Sequence, residues 1–208
     1  RSTLFPYTTL FRSLFIPRRP APWTILGIIF HDTVMEWEKS GRTLNYTQYF
    51  EDAYDKLVAE EWERQPDYKY WVIPPVSKSV VQSIKNYRNR GLDQLAKYIP
   101  TCLEAPWEIS HIEQQFEIEL GDITVRGGVD RILWFPGDEF YAVEDIKTGN
   151  LKGEDDVRQL GFYAFVAREL WDVPVSEGRY WFSKMDRGSQ FVDLSRFDRM
   201  NRDRKSVV

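Results

Sequence analysis

The chain has 208 residues, 42% of them hydrophobic and 29% charged, with a formal charge of −4. That length and balance suit one soluble globular domain with a real core, and the acidic charge excludes a protein that coats DNA by bulk positive charge; an enzyme that reaches nucleic acid through a local groove, with metal ions offsetting an acidic site, stays open. The longest apolar run, Trp23 to Phe30, falls far short of the roughly 20 residues a membrane crossing needs, and the single cysteine, Cys102, leaves no internal disulfide framework and points to a reducing, cytoplasmic compartment.

The chain opens on RSTLFPYTTLFRS, which has neither helical nor alternating periodicity and lacks the layout of a signal peptide. These thirteen residues are what one reading frame of a common short-read sequencing adapter encodes, and the closing DRKSVV is what the complementary strand encodes. Residues 1–13 and 203–208 are therefore set aside as adapter-derived. Residues 14–202 are read as a single domain truncated at both ends. Both terminal stretches are net basic, so the part between them is more acidic than the whole.

Within that part, helical spacing predicts helices over Thr24 to Lys39, Thr47 to Arg64 and Lys78 to Ile99, the last closed by Pro100. A Pro-rich aromatic connector, QPDYKYWVIPPVS, separates the second from the third. The second half turns to strands over Trp107 to Leu120, Ile123 to Trp134 and Phe140 to Lys147. A helix from about Glu154 to Leu170 follows, then strands near Gly178 to Ser183 and Gln190 to Leu194. Helix, three strands, helix, strand is an α/β order, with helices covering a mixed sheet.

The stretch RGGVDRILWFPGDEFYAVEDIKTG, residues 126–149, carries the chemistry. Pro136-Gly137-Asp138 is turn chemistry between two β-rich runs, so the stretch predicts an antiparallel hairpin. With the turn centred between Gly137 and Asp138, Asp130 lies directly opposite Asp145. Facing side chains sit about 5 Å apart, and like charges there repel, so the pair wants a cation between them. Lys147 is two residues on, hence on the same face as Asp145, and its expected partner Gly128 has no side chain to crowd it. Glu144 points to the other face, as does Arg131, to which we assign a structural role. Paired carboxylates suit Mg²⁺ or Mn²⁺, which take one or two acidic ligands and complete their shell with water and phosphate oxygen. The hairpin alone fits equally a solvated ladder whose acids pair with Lys and Arg.

Acid-x-Lys recurs at Asp67-Tyr68-Lys69, where a Pro-rich connector offers no strand partner, so that copy is read as a coincidence. Gln159 and Tyr163, four apart, share one helix face that returns toward the strand ends. His31 sits in the middle of an apolar helix, where an imidazole alone reads as a packing residue. The basic run Lys85 to Arg90 reads as a solvated helix face or, less simply, a phosphate contact. Glu154, Asp155 and Asp156 offset a helix dipole and receive no chemistry.

Taken together, Gly27-x-x-x-His31, Gly127-Gly128-Val129-Asp130-Arg131, Asp145-Ile146-Lys147-Thr148-Gly149 and Gln159-x-x-x-Tyr163 resemble, in order and spacing, the RecB-like branch of the PD-(D/E)XK nuclease superfamily. That branch includes RecB and AddAB-type nuclease domains and CRISPR-associated or phage exonucleases. The resemblance implies a restriction-endonuclease-like core, a mixed sheet flanked by helices. It implies a metal-dependent DNA nuclease, an exonuclease of recombination, repair or phage DNA processing, with a helicase or recombinase as partner. Carried over by position, it makes His31, Asp130, Asp145 and the Ile146 carbonyl ligands of Mg²⁺ or Mn²⁺. Lys147 would position or activate the attacking water, and Gln159 and Tyr163 would support the lysine or contact the DNA backbone. Some members of the branch carry a four-cysteine iron–sulfur cluster. Cys102 matches none of its cysteine positions, so no cluster is expected within these residues, and the intact protein is left open. The competing readings are an inactive nuclease fold that docks DNA or protein, against which Asp130, Asp145 and Lys147 all stand in place, and a generic α/β domain with structural hairpin acids.

Overall fold

The computed structural model describes residues 21–71, 79–149, 157–195 and 197. The chain divides into a helical unit ending at Cys102 and a sheet unit from Leu103 onward. The two terminal stretches assigned to adapter and the acidic run Glu154 to Asp156 lie outside the described residues, as does Lys78.

The helical unit contains α1 (Pro22–Lys39), α2 (Tyr46–Arg64), a 3₁₀ turn (Tyr68–Tyr70) and α3 (Val80–Leu103). Pro22 opens α1, where its missing N–H has no helical partner to lose. Asn45 caps α2, its side-chain oxygen accepting the Gln48 N–H at 3.2 Å. Arg88 on α3 bonds Glu51 and Asp55 on α2, and the ring of Phe50 lies where any side chain at Gly91 would sit. The helix expected to close at Pro100 continues to Leu103. Proline removes one N–H, and here that loss falls within the final turn, which the helix survives. At Asp67-Tyr68-Lys69 the aspartate caps the 3₁₀ turn, accepting the Lys69 N–H at 3.0 Å.

The sheet unit runs β1 (Glu108–Leu120), β2 (Ile123–Phe135), β3 (Phe140–Lys147), α4 (Val157–Trp171), β4 (Val175–Phe182), and two short strands, β5 (Arg187–Gly188) and β6 (Val192–Asp193). The strand order is β1-β2-β3-β4-β5, with β6 also on β4. The first three strands are antiparallel neighbours, and α4 is the crossover that makes β3 and β4 parallel. Gly121, at φ +62, permits the two-residue turn between β1 and β2. The β2–β3 pairs run from Phe135↔Phe140 to Arg131↔Glu144, the register that the Pro136-Gly137-Asp138 turn dictates. Stacked Phe135 and Phe140, with centroids 4.5 Å apart, and the Trp134–Tyr141 pair close the hairpin end. The core gathers Ile132, Val143, Leu160, Ala164 and Phe182 between sheet and α4. Gly178 on β4 leaves room there for Leu160 and Leu194.

This is the α/β order expected, helices and a mixed sheet. Among the described residues no helix is long and apolar enough to cross a membrane.

Candidate active site

Alternation along the hairpin sorts its side chains. Ile132 and Val143 face α4 in the core, so Asp145, two residues on from Val143, falls on that side, and Arg131 and Glu144 on the other. At Asp130 the ladder gives way to a side-chain contact: its Oδ2 accepts the Ile146 N–H at 2.7 Å. A carboxylate thus takes the place of a backbone acceptor where β2 parts from β3. One expectation is corrected here. Gly128 pairs with Gln115 on β1, and a side chain there would strike the Gln115 amide, while Lys147 pairs with Phe182 on β4. The β2–β3 pairs end at Arg131↔Glu144, so Gly128 and Lys147 do not face each other in the ladder, and the glycine accommodates Gln115.

The residues from β3 and α4 converge on one another. The Lys147 ammonium forms an ion pair with Asp145 Oδ2, whose side chain is 4% exposed while that of Lys147 is 37% exposed. Gln159 Nε2 donates to Asp145 Oδ1 at 3.3 Å and to the Tyr163 hydroxyl at 2.8 Å, and Gln159 Oε1 accepts from Lys147 Nζ at 3.4 Å. Gln159 thus holds carboxylate, ammonium and phenol in one set. The Tyr180 ring lies 5.3 Å from the ammonium, a cation–π contact that further fixes it. Burial, reinforced by the charges of Asp145, Asp130 and Glu113, pushes the Tyr163 phenol well above its ordinary range despite the opposing hydrogen bond from Gln159. Tyr163 is therefore neutral at any physiological pH.

Glu113 escaped the sequence reading. It lies on β1 between Ile112, paired with Arg131, and Gln114, paired with Val129, and so stands opposite Asp130. One of its carboxylate oxygens comes within 4.8 Å of one on Asp130. The signal was present in the Gly121-Asp122 turn, which sets the β1–β2 register as the next turn sets that of β2–β3.

Six of the seven expected site residues, Asp130, Asp145, Ile146, Lys147, Gln159 and Tyr163, belong to the sheet unit and meet as described. His31 belongs to the helical unit, half-buried on α1 beside the buried Phe30, whose ring meets the imidazole edge-on. In the basic run on α3, Arg88 pairs with Glu51 and Asp55, and Arg90 lies over the Tyr87 ring at 4.7 Å. Arg131 is 1% exposed and paired with Glu144, which also accepts from Arg179 Nε at 2.6 Å.

The donor set fits a divalent cation of the Mg²⁺ class. The carboxylates of Glu113 and Asp130, on adjacent strands with oxygens within 4.8 Å of one another and Asp130 already steadied by a backbone N–H, are the hard oxygen donors such ions select. Comparison with known proteins agrees. The chain is similar to the Gene 69 protein of Mycobacterium phage L5, at 26% identity over 86% of this chain and 71% of that protein. It is also similar to the Gene 69 protein of Mycobacterium phage D29, at 29% identity over 88% of this chain and 72% of that protein. The family match runs over residues 10–206, nearly the whole chain and all four motifs. An acid-x-Lys strand set beside a second aspartate on a mixed α/β sheet is the chemistry that match describes, and the chain belongs to the PD-(D/E)XK nuclease superfamily.

Proposed function

We propose that this protein hydrolyses DNA phosphodiester bonds in a reaction that depends on Mg²⁺ or Mn²⁺, and that it acts as an exonuclease in recombination, repair or phage DNA processing. The observation that carries the reading is the hydrogen-bonded set of Asp145, Lys147, Gln159 and Tyr163 beside Asp130. A solvated structural ladder would leave its acids exposed. Here the acid is buried and its cation is held by a second side chain.

Asp130 and Asp145 would hold the metal, with the Ile146 carbonyl, and His31 joins them on the strength of the Gly27-x-x-x-His31 motif. When bound, the cation supplies charge stabilisation at the phosphoryl oxygens and lowers the pKa of water. Lys147 is the group that orients the attacking water and offsets developing negative charge. Gln159 keeps that ammonium aimed, and Tyr163 remains a neutral hydrogen-bonding group beside it. A helicase or recombinase that delivers free ends is the partner this reading calls for.

The test is degradation of end-labelled linear DNA and of closed circular DNA, single- and double-stranded, with Mg²⁺ or Mn²⁺, beside Lys147→Ala and an EDTA control. Linear DNA should be consumed from its ends by the wild type alone, and chelation should abolish it. Cutting of the closed circle would overturn the exonuclease assignment. Equal degradation by Lys147→Ala would overturn the mechanism.

A further inference from the structure

Three neighbouring strands each carry one carboxylate at the same level of the sheet. Ile112↔Arg131 and Gln114↔Val129 bracket Glu113 opposite Asp130, and Arg131↔Glu144 sets Asp145 one step on beside Asp130 from the other side. The row reads Glu113, Asp130, Asp145 across β1, β2 and β3. Neighbouring strands lie about 4.8 Å apart, and like charges facing across them destabilise the pair. The two ends of the row differ. Asp145 meets the Lys147 ammonium through one oxygen and the Gln159 amide through the other. Asp130 gives its Oδ2 to the Ile146 N–H. On the β1 side, a Glu113 oxygen lies within 4.8 Å of an Asp130 oxygen, a span two ligands of one hard cation can bridge.

Glu113 also adopts φ +45 inside a strand, where a residue with a long side chain rarely stands. Ladder pairs continue on both sides of it without a change of register.

We infer that Glu113 is a metal ligand: together with Asp130 it binds the divalent cation on the β1 side of the carboxylate row, next to the Asp145–Lys147 pair. The inference rests on the nuclease reading and adds to it a residue that none of the four motifs contains.

Two measurements on the full chain test it, neither of them activity. Mn²⁺ binding is titrated calorimetrically for the wild type, Glu113→Gln and Glu113→Asp, and the thermal midpoint of each is recorded in EDTA and in Mn²⁺. Glu113→Gln should weaken Mn²⁺ binding at least the roughly tenfold that losing even an outer-shell partner costs, and Glu113→Asp, which keeps the charge, should retain more of it. The Mn²⁺-induced rise in melting temperature over that in EDTA should be smaller for Glu113→Gln than for the wild type. A Glu113→Gln protein that binds Mn²⁺ as tightly as the wild type overturns the inference and leaves the nuclease reading standing. One that melts well below wild type in EDTA makes Glu113 a structural residue and also overturns it. A folded wild type that takes up no Mn²⁺ overturns both readings together.

Discussion

The two faces of the β2–β3 hairpin make opposite use of charge. On one, Arg131 and Arg179 enclose Glu144, with side-chain exposures of 1%, 13% and 0%. Rings of Trp107, Trp181 and Phe191 lie 4.7–5.3 Å from the guanidinium carbons. Burial pushes the Glu144 carboxyl upward, but the two guanidinium charges outweigh it and hold the group below the usual carboxylate range. On the other face, Asp145 pairs with the partly exposed ammonium of Lys147, and Glu113 and Asp130 bring carboxylate oxygens within 4.8 Å of each other. Adjacent residues in one strand therefore serve different ends: Arg131 and Glu144 close on each other away from solvent, while Asp130 accepts the Ile146 N–H and Asp145 pairs with the partly exposed Lys147. A closed network gives rigidity to the strands that an acidic, repelling row needs beneath it.

The largest effect should come from breaking the closed face. Glu144→Gln leaves the buried Arg131 and the partly buried Arg179 without their anion, and removing one partner of a buried pair typically costs about 3–5 kcal/mol. Urea unfolding should show that loss, while activity per folded molecule changes little. The pH dependence has a defined sign. The folded pKa of Glu144 is depressed, so its contribution to stability is fully present above the ordinary carboxylate range and is lost as pH falls through the folded value. Acid titration of stability should therefore be shallower in Glu144→Gln than in the wild type. If Glu144→Gln unfolds at the wild-type urea concentration, the two faces do not differ in the way described.

The next effect inverts the first. Asp145→Asn keeps the shape of the side chain and removes a charge from the repelling row. Nuclease activity should fall about 10²–10³-fold, the scale for losing a group that stabilises developing charge, while the unfolding midpoint in EDTA stays within about 1 kcal/mol of wild type. A fall in stability comparable to Glu144→Gln would show that Asp145, too, is a structural acid.

How much of this lay open in the sequence depended on whether a turn marked the register. Pro136-Gly137-Asp138 announced one hairpin, and Arg131, Glu144, Asp130 and Asp145 could be sorted between faces by alternation alone. Gly121-Asp122 held the same information for β1, yet Glu113 stayed hidden because its φ of +45 interrupts the strand's alternation, and no residue-level pattern signals that. Gly128 was set opposite Lys147 because a register counted outward from the turn does not show where the ladder ends, and the β2–β3 pairs stop at Arg131↔Glu144. Arg179 was invisible as the second cation on Glu144, since β4 reaches β3 through a helical crossover whose register sequence spacing does not fix. Pro100 misled for a different reason: one missing N–H in a last turn is tolerated where tertiary burial of Tyr98, Ile99 and Cys102 holds the helix.

The smallest effect probes the link between α4 and the acidic row. Tyr163→Phe removes the hydroxyl that accepts from Gln159 Nε2 at 2.8 Å and leaves the aromatic packing against Phe116. Gln159 keeps Asp145 and Lys147 as partners, so only one hydrogen bond of the set is lost. At about 0.5–1.5 kcal/mol for a net hydrogen bond, kcat should drop roughly 2- to 10-fold. The ratio of wild-type to Tyr163→Phe rate should also stay level as pH rises to about 10, where an ordinary tyrosine begins to ionise. Burial and the neighbouring carboxylates raise the folded pKa of Tyr163, so what the neutral phenol contributes is fully present below the ordinary value and is lost only as pH passes through the raised one. A ratio that falls toward one near pH 10 would mean the phenol ionises normally, and so that the carboxylates of the row do not act on it.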